Sequence, residues 1–358
     1  MNKFYYIVLI ITLINIFKSD AGNDNTLRSD STYSTDYSIT GSAIEYYKNL
    51  TALLADFKQS YYNYIRSVTR TRKIRAIENS RQKLLRVIQE NIKLFKKSSS
   101  FQNDETLKTE LIRFMDLVDI ILTEDFGKIL DMEDIAAQSY DQAEAHQLAL
   151  DLAVDKLKSC SKIMTKAEEQ FFNKYNIKML DKKDELSLKI EKANKALAYY
   201  DSLYRIFFKA NKQDSYARKA ISENDVAALE QHISTLKLFV DEGLDKLNNI
   251  KGFNGDEELL LIVRKILEFY RNQALVTYPA NVGFIINSDN FQKVVKKFNS
   301  IKESERKQSD IDLYNNAVKQ YNAEVKSINK TNQVSYKTHN QFLEMWNKQV
   351  EKFFEKHS

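Results

Sequence analysis

A chain of 358 residues, 43% apolar and 29% charged, has the material for two domains of ordinary globular composition. One Pro and seven Gly, against usual shares of roughly 5% and 7%, exclude architectures built on hairpins and tight βα loops and predict an all-α protein of long helices. A formal net charge of +5, with both signs mixed along the chain, excludes a dedicated nucleic-acid binder, whose basic footprint is far stronger.

Residues 1–21 read as a secretory signal. Lys3 gives a positive start, Phe4 to Phe17 form an apolar run, and Ser19-Asp20-Ala21 places small residues before a cleavage site at Gly22. The rival reading is an uncleaved anchor, but these 14 residues rise only about 21 Å as a helix, short of a hydrocarbon core of roughly 30 Å. No later run approaches a spanning length, so no transmembrane segment is expected in the mature chain. Residues 22–41, rich in Ser, Thr, Asp, Asn and Tyr, are expected to be a disordered tether.

From Ser42 helical spacing takes over. Tyr46, Leu50, Leu53, Leu54, Phe57, Tyr61, Tyr64, Ile65 and Val68 mark one long first helix, and Ile77, Leu84, Val87, Ile88 and Ile92 a second over about 74–95. Lys96 to Ser100 turn into a third at Phe101, carried by Leu107, Leu111, Phe114, Val118 and Ile121. It is expected to fail near Phe126-Gly127, before an acidic connector to Asp134. A fourth helix, about 136–175, carries Leu148, Leu152, Leu157, Ile163, Ala167, Phe171 and Phe172.

The pattern then recurs. Phe101-Gln-Asn-Asp-Glu-Thr-Leu107 is echoed by Phe253-Asn-Gly-Asp-Glu-Glu-Leu259 at an offset of 152. Ala43-Ile-Glu-Tyr-Tyr47 is echoed by Ala196-Leu-Ala-Tyr-Tyr200 at 153, and Tyr140 and Phe172 by Tyr314 and Trp346 at 174. The change of offset leaves about 22 extra residues in the second copy, after a loop expected at Tyr278-Pro-Ala-Asn-Val-Gly283. The organisation this predicts is two tandem four-helix-bundle-like domains, 42–176 and 193–358, joined by a linker at 177–192 that is itself helical in character.

Motifs for chemistry are sparse. Cys160 is the single cysteine, so an internal disulfide is impossible, and a small, partly buried residue explains it better than a nucleophile without a nearby His. Neither the i, i+4 histidine pair of a helical zinc site nor the Glu-x-x-His of a di-iron bundle occurs around His146, His232, His339 or His357. Asn254-Gly-Asp-Glu-Glu258 lacks the ligand spacing of a calcium loop and reads as a helix start. Phosphate loops, dinucleotide fingerprints and nucleophile elbows are missing too. No catalytic residue, metal site or cofactor is therefore nominated.

The least ordinary stretch runs from Arg66 to Arg86, with Arg66, Arg70, Arg72, Lys73 and Arg75 the candidates for an anion- or partner-binding patch. The competing reading is a charge run answered within the same bundle by acids between Asp116 and Asp134. The paired aromatics Tyr61-Tyr62, Tyr199-Tyr200 and Phe353-Phe354 are each expected to turn one ring to the flank.

Gly252 to Leu259, Lys265-Ile-Leu-Glu-Phe-Tyr-Arg271, Ile44-Glu-Tyr46 and Phe171-Phe-Asn-Lys-Tyr-Asn176 resemble segments of a family of exported, Gram-negative helical surface proteins, often lipoproteins, of unknown function. The resemblance implies a four-helix-type unit and export. The chain departs from it in having no Cys near residue 21 for a lipid anchor. The expectation is an exported, non-enzymatic protein of the periplasm, cell surface or medium, whose partner is a protein, a glycan or an anionic envelope component. The alternatives are a structural spacer or adhesion-type element, and an unrecognised bundle enzyme.

Overall fold

The computed structural model describes residues 37–70, 74–125, 140–177 and 184–358, and among these the protein is all-α. The helices are α1 (Tyr37–Ala52), α2 (Ala55–Arg70), α3 (Ile74–Lys97), α4 (Thr106–Ile120), α5 (Tyr140–Lys174), α6 (Glu185–Glu223), α7 (Val226–Asn248), α8 (Glu258–Asn272), α9 (Tyr278–Ser300) and α10 (Gln308–His357). Five-residue π turns, Ile121–Asp125 and Gln273–Thr277, follow α4 and α8. No described helix is long and apolar enough to cross a membrane. The signal segment, most of the tether and the acidic connector lie outside the described residues.

The sequence repeat reappears in the element boundaries. α4 and α8, and the two π turns, start and end 152 residues apart; α3 and α7 start 152 apart, and α2 and α6 end 153 apart. The echoed segment is a four-residue turn closed by reciprocal backbone bonds, Phe101 with Asp104 and Phe253 with Asp256. Positive φ at Gln102 and Asn103, and at Asn254 and Gly255, gives a type I′ turn, which favours Asn and Gly. The Asp closing each turn then accepts the first free helix N–H, Thr106 N at 3.0 Å from Asp104 and Glu258 N at 3.1 Å from Asp256. Helix capping accounts for the acid-rich sequence.

The chain divides into two compact units, one ending at Asp201 but including Phe354–Ser358, the other Ser202–Phe353. The division falls within α6, and the expected linker is helical from Glu185. In the first unit α2 packs on α3, α3 on α4 and α4 on α5. Leu54, Phe57, Ile65, Leu84, Ile88, Phe114 and Met164 fill its core. Tyr47 donates to the buried Glu168 at 2.9 Å. In the second unit α7 packs on α8 and α9, and Phe207 of α6 stacks on Trp346 of α10 at 4.8 Å. At Gly243 an added Cβ would stand 2.9 Å from both Ile206 and Leu267, so a glycine is needed where three helices crowd together.

Several expectations are corrected. α1 begins at Tyr37, inside the predicted tether. Once the helix is nucleated, each residue added at its end gains a hydrogen bond, which offsets the weak propensity of Ser38, Thr40 and Gly41. The long first helix breaks at Leu53-Leu54, where Thr51 Oγ1 bonds back to Tyr47 O at 2.9 Å and Asn91 Nδ2 takes the released Leu53 carbonyl at 2.9 Å. Leu148 and Leu152 are exposed rather than core. Phe353 and Phe354 are both buried, one against Phe253 and the other near Tyr200. Finally, Tyr278–Gly283 is not a loop: Pro279 sits in the first turn of α9. The π turn before it carries the Tyr278 N–H back to Gln273 O, and that widened turn accommodates a ring that would clash in an ordinary helix interior.

Candidate functional site: a helical arm on a polar foot

The extra residues of the second copy build an arm. Along α10, Ile311, Tyr314, Val318, Tyr321, Val325, Ile328, Asn332, Ser335, His339, Phe342, Trp346, Gln349 and Phe353 are all buried or half-buried, an alternation of three and four residues that forms a heptad seam. On α9 the same alternation runs through Asn281, Phe284, Ser288, Phe291, Val295 and Phe298. The seams meet face to face: Phe291 stacks on Tyr321 at 4.2 Å and Phe298 on Tyr314 at 4.3 Å. Arg306 closes the tip, its guanidinium 4.5 Å from the Phe298 ring centroid. From Ile286 to Ser327 no residue is buried, so beyond its seam the arm gives its whole surface to solvent.

The arm stands on a polar core. Asn281 and Asn332 exchange amide hydrogen bonds at 3.0 and 2.8 Å, and Asn281 also donates to Thr277 O in the π turn. One level further in, Ser335 Oγ donates to Gln273 Oε1 at 2.9 Å. Arg218 reaches Ser335 Oγ at 3.2 Å and, through Nε, Asp214 Oδ2 at 2.7 Å. Tyr278 donates to the other oxygen of Asp214, a fully buried carboxylate, and Tyr270 donates to Asn211 at 2.7 Å. His339 Nδ1 lies 3.3 Å from Asp214 Oδ2, within ion-pair range but without hydrogen-bond geometry.

Burial governs the protonation of this core. It pushes His339 below the usual imidazole range against the pull of Asp214, with Arg218 acting in the same direction as burial. It lifts Tyr270 and Tyr278 well above the usual phenol range, helped by the charge of Asp214. At neutral pH His339 is therefore uncharged and both phenols keep their protons.

The Asp214–Arg218 pair is not repeated at the matching places of the first copy. At offsets of 153, 152 and 174, Asp214, Arg218, Tyr270, Gln273 and His339 correspond to Tyr61, Ile65, Val118, Ile121 and Thr165. The first four of these are buried and largely apolar. The first copy packs the same helix positions without the ionic junction, so the scaffold does not require it. Buried polar residues at seam positions fix register at a cost in stability, and Asn281 with Asn332 does so at the root of the arm.

Of the sequence-nominated patch, Arg66 is exposed with its guanidinium 5.8 Å from the Tyr62 ring centroid, and Arg75 is exposed. Arg72, Lys73 and the side chain of Arg70 fall outside the described residues. Most of that patch therefore lies outside the described residues. Arg81, from the same stretch, is buried: it pairs with Glu78 at 2.7 Å and donates to Leu122 O in the first π turn. Among the described acids of the expected counter-patch, Asp125 pairs instead with Lys156 at 2.7 Å. Cys160 is buried, and burial raises its thiol. Among the described residues no group of His, Cys, Asp and Glu is placed to hold a metal ion.

Sequence reasoning missed the arm and its foot because Asn332, Ser335 and His339 interrupt the apolar stripe of α10. The three-four spacing of its remaining seam residues was the signal that could have found it. Comparison with protein-family models, curated proteins and solved structures finds no match.

Proposed function

We propose that the protein is an exported, non-enzymatic helical scaffold of the cell envelope or surface that engages a partner through the α9–α10 arm. The observation that carries this reading is the arm itself. About 22 residues added to one copy of a duplicated unit are spent on a two-helix projection that encloses no core beyond its own seam. Its register is pinned by the paired amides of Asn281 and Asn332. A projection held this way is suited to reaching and holding a partner at fixed geometry. The apolar run at residues 4–17 and the small residues before Gly22 support export.

Fractionation of producing cells, with N-terminal sequencing of the protein from each fraction, tests the reading. A chain beginning at Gly22 and retained with envelope material is expected. An intact Met1 in the cytoplasmic fraction contradicts it.

A further inference from the structure

One side of α10 carries a basic, amide-bearing stripe. Between Leu313 and Leu343 the helix contains one carboxylate, Glu324, and four lysines, Lys319, Lys326, Lys330 and Lys337. The heptad seam fixes where these lie. Glu324 sits on the flank facing Asn287, to which it is hydrogen-bonded at 3.3 Å. The lysines occupy the opposite flank and the outer face, together with Asn315, Asn322 and Asn329 at intervals of one heptad. All are exposed, as is Tyr336 one heptad further on, 62% accessible. Among the described residues the side chains of Lys319, Asn322, Lys326 and Asn329 form no hydrogen bond or ion pair with another side chain.

Asn is a poor helix former at an exposed position. Helix stability therefore gives no reason for three of them in register. The pattern Lys-x-x-Asn, at 319–322 and again at 326–329, presents one cation and one amide per heptad, and a heptad of helix rises about 10.5 Å. That rise is close to the repeat of an extended disaccharide.

We propose, building on the envelope-binding reading above, that this stripe of α10 binds a linear acidic polysaccharide with one carboxylate per disaccharide. Lys319 and Lys326, one heptad apart, pair with successive carboxylates, the amides of Asn322 and Asn329 donate to and accept from ring hydroxyls between them, and Tyr336 lies against a sugar face. Neither rival polyanion uses the whole pattern. A nucleic acid asks for stacking platforms, and the stripe has one aromatic. A lipid surface asks for exposed apolar residues beside the cations, and the stripe has amides there.

The test is titration of the purified whole protein with hyaluronate oligosaccharides at physiological salt, against dextran, a dT oligonucleotide and phosphatidylglycerol vesicles. Binding to hyaluronate alone is expected. Lys319→Ala with Lys326→Ala should weaken it by about tenfold or more. Asn322→Ala with Asn329→Ala should weaken it too, at unchanged charge and undiminished helicity. Equal binding to the oligonucleotide or vesicles, or indifference to the asparagine pair, overturns the proposal in favour of unspecific charge attraction. No binding to hyaluronate, with arm-dependent retention on envelope material intact, overturns the polysaccharide and leaves the envelope reading standing. Loss of both overturns both.

Discussion

At the scale of single residues, Asp214 and His339 show how one carboxylate organises a helix junction. Both oxygens of Asp214 are occupied, by Tyr278 and by Arg218, so His339 is left beside a charge already satisfied. Its imidazole is held below its ordinary range by burial. An unfolded chain binds that proton at about pH 6.5, whereas the folded chain resists it. The stabilising difference is complete above that pH and is lost as the pH falls toward the folded value. Each unit of depression is worth about 1.4 kcal/mol. His232 contributes in the same direction, its ring also held low by burial and bonded through Nδ1 to Gln213 at 2.8 Å. The melting temperature should therefore drop between pH 7.5 and 5.5, and His339→Gln should remove much of that drop. An unchanged drop in the variant would place the acid sensitivity elsewhere.

At the scale of elements, the two π turns repeat a single device. Each interrupts the regular carbonyl ladder, and each is met by a buried polar side chain: Arg81 at Leu122 O in the first, Asn281 at Thr277 O in the second. Arg81→Met should cost about 2 kcal/mol, the worth of a buried bond from a charged donor. Arg66→Ala and Arg75→Ala, at exposed positions, should stay within about 0.5 kcal/mol. Urea unfolding midpoints separate these outcomes, and equal costs for all three would remove Arg81 from its structural role. The same elements show what was legible beforehand. The turns at Phe101 and Phe253 could be read because their residues act locally: a positive φ asks for Asn or Gly, and a helix start asks for Asp. The break at Leu53 could not, since it depends on Asn91 arriving from another helix. Nor could the role of Pro279, whose loop-forming tendency is cancelled by the π turn preceding it. The arm's foot was hidden for a third reason, because its residues pair across helices and weaken the apolar periodicity that marks a seam.

At the scale of the whole molecule, duplication separates what the scaffold needs from what was added to it. The shared part is the closed turn, the capped helix and the π turn, repeated at a constant offset. Among the described residues the second copy alone carries the arm, the Asn281–Asn332 pair and the Asp214 junction. The arm can be shortened without disturbing that foot. Removing one heptad from each helix, residues 289–295 and 318–324, keeps the seam in phase and retains the Phe298–Tyr314 layer and the tip. The most direct measurement is the retention of this shortened chain on envelope material, beside the intact chain and with helicity checked by circular dichroism. A folded, exported chain that is no longer retained is the predicted result. Retention equal to that of the intact protein would contradict the assignment of partner binding to the arm.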